Sequence, residues 1–168
     1  MTHTLFTIGH SNHSIGRFVE LLRLHAIEIV CDVRSTPYSR FNPQFNRELL
    51  ATALEAQGIA YLFLGNELGG KPRDGDYPAD DGARFALMAK SERFRSGLER
   101  LLKEARGRRT AVMCAEKDPG QCHRGLLICP NLPAGVAIHH ILADGSAKDQ
   151  AELAAERGAD DAGQALLF

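Results

Sequence analysis

Five short apolar segments alternate with amphipathic segments along the chain. The apolar segments are rich in β-branched and aromatic residues, as buried strands are. They lie at 4–8, 28–33, 59–64, 109–115 and 136–142. The amphipathic segments carry apolar residues every three or four positions, which predicts helices. These lie near 15–26, 46–58 and 91–107.

Residues with capping chemistry stand at the ends of the predicted helices. Ser14 and Asn46 are suited to N-caps, and Gly58 and Gly107 are suited to helix C-termini. The alternation of strand and helix is typical of an α/β fold. Near-continuous apolar strands further indicate a sheet covered on both faces. We therefore predict a three-layer domain with a mainly parallel five-stranded sheet and helices on both faces.

The ends of this domain follow from where the periodicity changes. We expect one α/β domain over residues 1–146, then a peripheral helix and a frayed tail over 147–168. Within the domain, residues 65–81 are rich in Gly, Pro and Asp and show no apolar period. Long loops of this kind are usually binding loops or lids, so this loop is expected over one edge of the sheet.

Composition narrows the class of protein. The chain has 168 residues, of which 44% are hydrophobic and 24% charged, and this balance is typical of one globular domain. Its net charge of −1 gives no bulk attraction for nucleic acid or anionic lipid, so such a partner needs a local patch. No apolar run approaches the ~20 residues of a membrane span. We expect a cytoplasmic protein with no membrane contact and its four cysteines as thiols. The oligomeric state is left open.

Chemically versatile residues cluster after the predicted strands. The carboxyl ends of parallel strands meet at one edge of a sheet, where open α/β sheets usually bind ligands. The segments found there are GHSNH at 9–13, DVRS at 32–35, GNELGG at 65–70 and CAEK at 114–117. The opposite strand ends carry plainer junctions such as LHAIE at 24–28. The sequence therefore predicts a functional site at the carboxyl edge.

The segment VMCAEKDPGQCHRG at 112–125 is the strongest candidate for catalysis. We expect a helix to begin at Cys122, and the field of a helix N-terminus favours both a thiolate and a bound anion. Against this, Cys122, Leu126 and Cys129 would share one helical face and could be core. Adjacent helical side chains also diverge by about 100°, so Cys122, His123 and Arg124 would not reach one point. The candidate catalytic residues are Cys122, Glu116, His10, His123 and Cys114.

Basic and aromatic residues near the same edge suggest an anionic ligand. Arg40 stands near Tyr38 and Phe41, a combination that stacks a base and holds its phosphate. Asp32 and Arg34 can instead pair with each other. The candidate ligand-binding residues are Arg34, Arg40, Arg124, Ser11, Asp32, Tyr38 and Glu67. The favoured hypothesis is an enzyme acting on a phosphate-bearing nucleotide or nucleic-acid-derived substrate. The alternative is a non-catalytic module that binds nucleic acid or a nucleotide.

A zinc site is the third hypothesis, as a zinc protein or a metal-dependent hydrolase. His10 and His13 form an H-x-x-H pair, and Cys114 and Cys122 could complete four ligands. No compact C-x-x-C pair supports this hypothesis. The sequence identifies no cofactor.

Four separated motifs carry a resemblance to a known family. They read TIGHS, DVRSTPYSRFNPQFN, ELGG and MCAEKDPGQCHR. In this order, from Thr7 to about Gly145, the chain resembles the domain of unknown function 488 family of bacteria and archaea. The resemblance implies a single small α/β domain and leaves the reaction open.

Overall fold

One sheet of six strands runs through the computed structural model, which describes residues 3–72 and 77–156. The strands are β1 (His3–Gly9), β2 (Ile29–Asp32), β3 (Ala60–Phe63), β4 (Thr110–Cys114), β5 (Val136–Ile141) and β6 (Ala147–Asp149). Their order is β3-β2-β4-β1-β5-β6. Every neighbouring pair is parallel except β5 and β6. The carboxyl ends of the five parallel strands therefore meet at one edge.

Helices connect the strands and cover the sheet. They are α1 (Ile15–Leu24), α2 (Arg47–Glu55), α3 (Gly65–Leu68), α4 (Asp81–Met88) and α5 (Glu92–Gly107). Short 3₁₀ turns lie at Pro43–Phe45, Pro119–Gln121 and Cys129–Asn131, and a π-helical turn lies at Arg124–Ile128. The Ser14 hydroxyl accepts the Arg17 N–H at 3.1 Å, as an N-cap does. The side chain of Asn46 accepts the N–H of Ser39 instead, so it orders the preceding loop.

Two hydrophobic clusters lie on opposite faces of the sheet. Alternate strand residues contribute to each, since Ala111 and Met113 belong to one cluster and Val112 to the other. Phe18 from α1 and Leu54 from α2 pack with the first pair. Phe94, Leu101, Leu127 and Ile128 pack in the cluster with Val112. The predicted three-layer α/β fold is confirmed.

The sheet has one strand more than predicted. Residues 147–149 form β6, where a peripheral helix was expected. A tight turn returns the chain after β5, with the Leu142 N–H donated to the Ser146 carbonyl at 2.8 Å and Gly145 at φ +92°. The helix begins only at residue 150. The remainder of the predicted tail, 157–168, lies outside the described residues.

The predicted loop at 65–81 contains more structure than expected. It opens with α3 and ends at α4, a helix absent from our prediction. Asp80 caps α4 by accepting the Ala83 N–H at 2.9 Å. Residues 73–76 of this loop lie outside the described part. Across the described residues, no helix has the length and apolar content needed to traverse a membrane.

Gly9 allows the loop after β4 to pass directly over the end of β1. Gly9 is in register with Cys114, and the chains stay paired beyond the strands through the His10 N–H to the Cys114 carbonyl at 2.9 Å. A Cβ at Gly9 would overlap the Glu116 carbonyl oxygen. The sheet edge is therefore built around a residue without a side chain.

This close approach predicts that Gly9→Ala destabilises the fold by about 1–3 kcal/mol, because backbone must move to admit the methyl group. Gly16→Ala is the matched control, since a Cβ on that helical residue meets nothing within 4 Å. We expect the control to be neutral or stabilising by up to about 1 kcal/mol. Urea unfolding followed by circular dichroism measures both, and equal effects would contradict the packing at Gly9.

Candidate active site: a cleft with two cysteines at its floor

A cleft of about 410 Å³ opens at the carboxyl edge of the sheet. Its walls come from the loops after β2 and β4, from the start of the irregular helix at 123–131, and from α4. The polar lining residues are Arg34, Ser35, Thr36, Lys71, Asp81, Arg84, Glu116, Gln121 and His123, and the remainder are Gly70, Phe85, Cys114, Ala115, Cys122 and Leu126. The cleft lies where the position of the polar segments predicted a site.

Two thiols face each other at the floor of the cleft. Cys114 ends β4, and Cys122 follows the 3₁₀ turn Pro119–Gln121. Their Sγ atoms lie 2.7 Å apart. Cys114 is 2% exposed and Cys122 7%, yet both line the cleft. These two cysteines therefore combine core packing with access from the cleft, whereas Cys31 and Cys129 are buried in or next to the core.

We expected a helix to begin at Cys122, but Cys122 lies outside the helix. Its backbone is extended, with φ −141° and ψ 162°, and helical structure starts at the next residue. Its carbonyl accepts the N–H groups of Gly125 and Leu126, at 3.2 and 3.0 Å, and its Sγ accepts the Arg124 N–H at 3.3 Å. Cys122 thus acts as the cap of the helical segment. The expected divergence of helical side chains does not apply to it.

Arg124 lies beneath the thiols, and its guanidinium has no exposed surface. The guanidinium donates to the Thr7 hydroxyl at 3.2 Å and to the carbonyls of Glu116 and Lys117 at 3.2 and 3.4 Å. Its Nε has no hydrogen-bond partner among the described residues. These partners are neutral oxygens, so the buried cation favours negative charge nearby. Arg124, predicted as a ligand-binding residue, is absent from the described lining of the cleft.

This environment separates the pKa values of the two thiols. The Cys114 hydrogen bond lowers the pKa of Cys122, and the side chains of His123 and Arg124 lower it further. The same contact, together with burial, raises the pKa of Cys114. Burial is the main cause that raises the pKa of Cys31 and of Cys129 to about 12. The contact therefore favours a proton on Cys114 and negative charge on Cys122.

His123 links two walls of the cleft, the irregular helix and the loop after β2. Its Nε2–H donates to the Val33 carbonyl at 2.8 Å, which connects the irregular helix to the end of β2. A Cβ at Gly70 would approach the His123 Cβ to 2.9 Å, so the glycine admits the imidazole. His123 both lines the cleft and holds its walls together.

A buried ion pair sets the position of Arg34. The Asp32 carboxylate accepts Nε of Arg34 at 2.9 Å and Nη2 at 2.7 Å, and it also accepts the Tyr61 hydroxyl at 2.6 Å. Nη2 further donates to the Phe45 carbonyl. Asp32 thus orients Arg34, which lines the cleft with a side chain that is 6% exposed.

His10 lies behind Arg34 and supports it. Its Nδ1–H donates to the Ser11 carbonyl at 2.8 Å, and its Nε2 accepts Nη1 of Arg34 at 3.3 Å. Its ring stacks on Phe45 with centroids 4.4 Å apart. Desolvation lowers the pKa of His10 to about 4, so the imidazole is neutral at physiological pH. His10 is suited to positioning Arg34 rather than to contacting a ligand.

Other predicted site residues lie away from the cleft. Arg40 and Tyr38 are exposed, and the Tyr38 hydroxyl donates to Glu48. Glu67 accepts Nη1 of Arg100 at 3.0 Å beside a neighbouring cavity. Ser11 adopts φ +47° in the loop after β1. Of the predicted ligand-binding residues, only Arg34 lines the described cleft.

The four zinc ligands that we considered do not assemble. No group of three or more His, Cys, Asp or Glu side chains with metal-binding geometry occurs among residues 3–72 and 77–156. Both ring nitrogens of His10 already have protein partners. The described residues thus give no support to the zinc hypothesis.

Sequence reasoning missed the wall contributed by α4. Arg84 lines the cleft there and donates to the Gly70 carbonyl at 3.0 Å and to the Asp81 carboxylate. The signal was available, because Asp80 precedes a segment with Phe85 and Met88 at helical spacing. Lys71 and Ser35 were also absent from our candidates; the Lys71 N–H donates to the Ser35 hydroxyl at 2.9 Å.

These features define a three-layer α/β protein with a pair of thiols at the carboxyl edge of its sheet. The chain belongs to the family described as Domain of unknown function DUF488, whose model matches residues 14–129. The predicted resemblance is confirmed. The matched span contains Cys114 and Cys122 and begins after the TIGHS motif. No curated protein and no solved structure matches the chain.

The thiol pair predicts selective alkylation. Because the pKa of Cys122 is lowered, its thiolate persists below neutral pH, and iodoacetamide should still label it at about pH 6. Cys31 and Cys129 should stay unlabelled in the folded protein. Peptide mass spectrometry after timed labelling from about pH 5 to 9 measures each rate.

Two variants test the cause of this shift. Cys114→Ala removes the donor and should raise the pKa of Cys122, whereas Cys114→Ser retains a hydroxyl donor and should raise it less. Labelling of Cys122 in the unsubstituted protein that follows an ordinary thiol pKa near 8.5 would contradict the thiolate assignment.

The buried ion pair predicts a large loss of stability in Asp32→Asn. This change leaves the Arg34 cation buried without its counter-charge, which costs about 3–5 kcal/mol. Glu104→Gln is the control, because Glu104 pairs with Arg108 at the surface and such pairs contribute about 0–1 kcal/mol. Urea unfolding compares the two variants; similar losses would show that Asp32 does not hold Arg34 as described.

Proposed function

We propose that the protein is an enzyme that uses the Cys122 thiolate to act on a phosphate-bearing nucleotide or nucleic-acid-derived substrate. One observation carries the proposal. Cys122 Sγ lies at the floor of an open cleft, in contact with the Cys114 thiol at 2.7 Å and with the Arg124 N–H at 3.3 Å. A thiolate stabilised in this way is available as a nucleophile at neutral pH.

The proposed step is a nucleophilic displacement at the floor of the cleft. Sγ of Cys122 forms a bond to an electrophilic atom of the substrate, and the bond to the leaving group breaks with its electron pair. Glu116 lines the same cleft, next to the two cysteines, and is the carboxyl group that we assign to proton transfer to the leaving group. It would then take a proton from a water molecule that attacks the substrate atom, so that the bond to Sγ breaks and the thiolate is restored. This order of steps is that of a hydrolase. An acceptor other than water would make the enzyme a transferase.

Basic side chains in the lining support an anionic substrate through their N–H donors rather than through an excess of positive charge. Arg34, Lys71 and Arg84 line the cleft, but Arg34 is paired with Asp32 and Arg84 with Asp81. Arg34 uses four of its five N–H donors on Asp32, Phe45 and His10. The remaining donor, on Nη1, is the one that a phosphate oxygen in the cleft would accept. Asp32 and His10 therefore contribute to binding by orienting Arg34.

A non-catalytic nucleic-acid module is the second candidate. Its support is Phe41, which is 91% exposed and adjacent to the exposed Arg40, since exposed aromatic and basic side chains together stack and hold single-stranded bases. A cytoplasmic location suits the first candidate, because that compartment keeps accessible thiols reduced.

The test is turnover by the reduced full chain. We expect release of phosphate or nucleoside from a panel of p-nitrophenyl phosphate, nucleoside phosphates and short oligonucleotides. Cys122→Ser should lower the rate at least about a hundredfold, as removal of a nucleophile does. Cys129→Ser, which changes a cysteine of the core, is the matched control and should leave the rate unchanged.

Two results would contradict this proposal. Turnover that survives in Cys122→Ser would exclude Cys122 as the nucleophile. Binding of oligonucleotides without turnover, weakened by salt and by Phe41→Ala, would favour the binding module instead.

A further inference from the structure

We propose that the Cys114–Cys122 pair is a site of reversible oxidation, at which a hydroperoxide oxidises Cys122 and Cys114 then closes an intramolecular disulfide. Formation of the disulfide does not depend on the proposed function. Its consequence does: if Cys122 is the nucleophile, the disulfide inactivates the enzyme until a dithiol reduces it. The activity at the cleft would then depend on the concentration of peroxide around the protein.

The placement of the two sulfur atoms carries the inference. With Sγ atoms 2.7 Å apart, closure to a disulfide of about 2.05 Å needs a shift of only about 0.7 Å. The two residues come from different local structures, the end of β4 and the segment after the turn Pro119–Gln121.

The surroundings distinguish the roles of the two cysteines. Cys122 Sγ accepts the Arg124 N–H and lies near the buried guanidinium, so it is the sulfur that carries negative charge. Cys114 donates its single thiol proton to Cys122, and its Sγ has the Glu116 carbonyl oxygen, which disfavours negative charge beside it, at 3.7 Å. Cys122 is therefore the attacking residue, and Cys114 the residue that resolves the product.

Access is provided by the cleft itself. Both cysteines line it, whereas Cys31 and Cys129 are absent from its described lining. A hydroperoxide is far smaller than the 410 Å³ of the cleft and can reach the floor without a change of fold. The same opening admits a small dithiol for the reverse reaction.

The chemistry balances in three steps. The Cys122 thiolate attacks the terminal oxygen of the hydroperoxide; an S–O bond forms, the O–O bond breaks, and the alkoxide or hydroxide that leaves takes a proton from solvent to become alcohol or water. The Cys114 thiol then attacks the sulfenic sulfur; the S–S bond forms, and hydroxide leaves with the thiol proton as water. A dithiol finally exchanges with the disulfide, is itself oxidised, and restores both thiols.

The position of Cys114 also limits further oxidation. A sulfenic acid that meets no thiol proceeds to sulfinic acid, which dithiols do not reduce. Because Cys114 is already in contact with Cys122, condensation is intramolecular and should outrun that reaction. Cys114 thus protects the Cys122 sulfur from oxidation to sulfinic acid.

The experiment uses the reduced full chain and hydrogen peroxide in slight excess. We expect the protein to lose the mass of two hydrogen atoms, and peptide mapping should join Cys114 to Cys122. Dithiothreitol should reverse the change. Cys129→Ser is the matched control and should form the same disulfide.

Single variants assign the order of events. Cys114→Ser should accumulate a sulfenic acid on Cys122 that dimedone traps, followed by sulfinic acid. Cys122→Ser should give neither product on Cys114 over the same time. Mapping of the unsubstituted protein needs no variant, so the inference stays testable if a variant folds poorly.

The outcomes separate this inference from the proposed function. If the treated protein keeps four thiols, or if its disulfide involves Cys31 or Cys129, the inference is overturned even when the reduced protein turns over substrate. If Cys114 and Cys122 are joined but the reduced protein shows no turnover on any substrate, the proposed function fails and the inference holds. Turnover that continues unchanged in the disulfide form would overturn the inactivating role.

Discussion

The burial of the Arg124 guanidinium is the constraint on which the rest of the site depends. A cation without exposed surface needs partners for its N–H donors, and three hydrogen bonds supply them here, to the Thr7 hydroxyl and to the carbonyls of Glu116 and Lys117, whereas Nε has no partner among the described residues. These bonds tie the irregular helix to β1 and to the loop after β4. Because the partners are neutral oxygens, the buried cation favours negative charge nearby, and it lowers the pKa of Cys122. The contacts that hold the irregular helix therefore also set the electrostatics around the two thiols.

The site also requires that residues from separate strands meet at one place, and the parallel sheet brings them there. The register of β1 with β4 and of β4 with β2 brings Gly9, Asp32 and Cys114 to one edge. Asp32 then orients Arg34 on one wall, while Cys114 meets Cys122 at the floor. The two hydrophobic clusters hold this edge rigid from both faces. A cleft with preorganised polar groups follows from ordinary strand pairing.

Much of the fold was predictable, and the failures have physical reasons. Strong apolar periodicity located five strands and three long helices, which needed no tertiary contacts to recognise. β6 is only three residues long and is stabilised by pairing with β5, so its own pattern carries little signal. The Gly-, Pro- and Asp-rich composition of 65–81 obscured the start of α4. In the site, strand ends predicted the edge, but Arg40, Tyr38 and Glu67 lie away from the cleft because their loops fold outward or pair locally.

By itself the sequence determined the α/β class, the family motifs and the edge of the sheet at which the polar and cysteine residues lie, since periodicity and order along the chain are local properties. Only the tertiary structure decided which of those residues meet. It placed Arg124 inside rather than in the cleft and began the helix after Cys122 rather than at it. It also brought Cys114 into contact with Cys122. Burial and side-chain distance depend on segments far apart in the chain, and for that reason no spacing of residues could have revealed them.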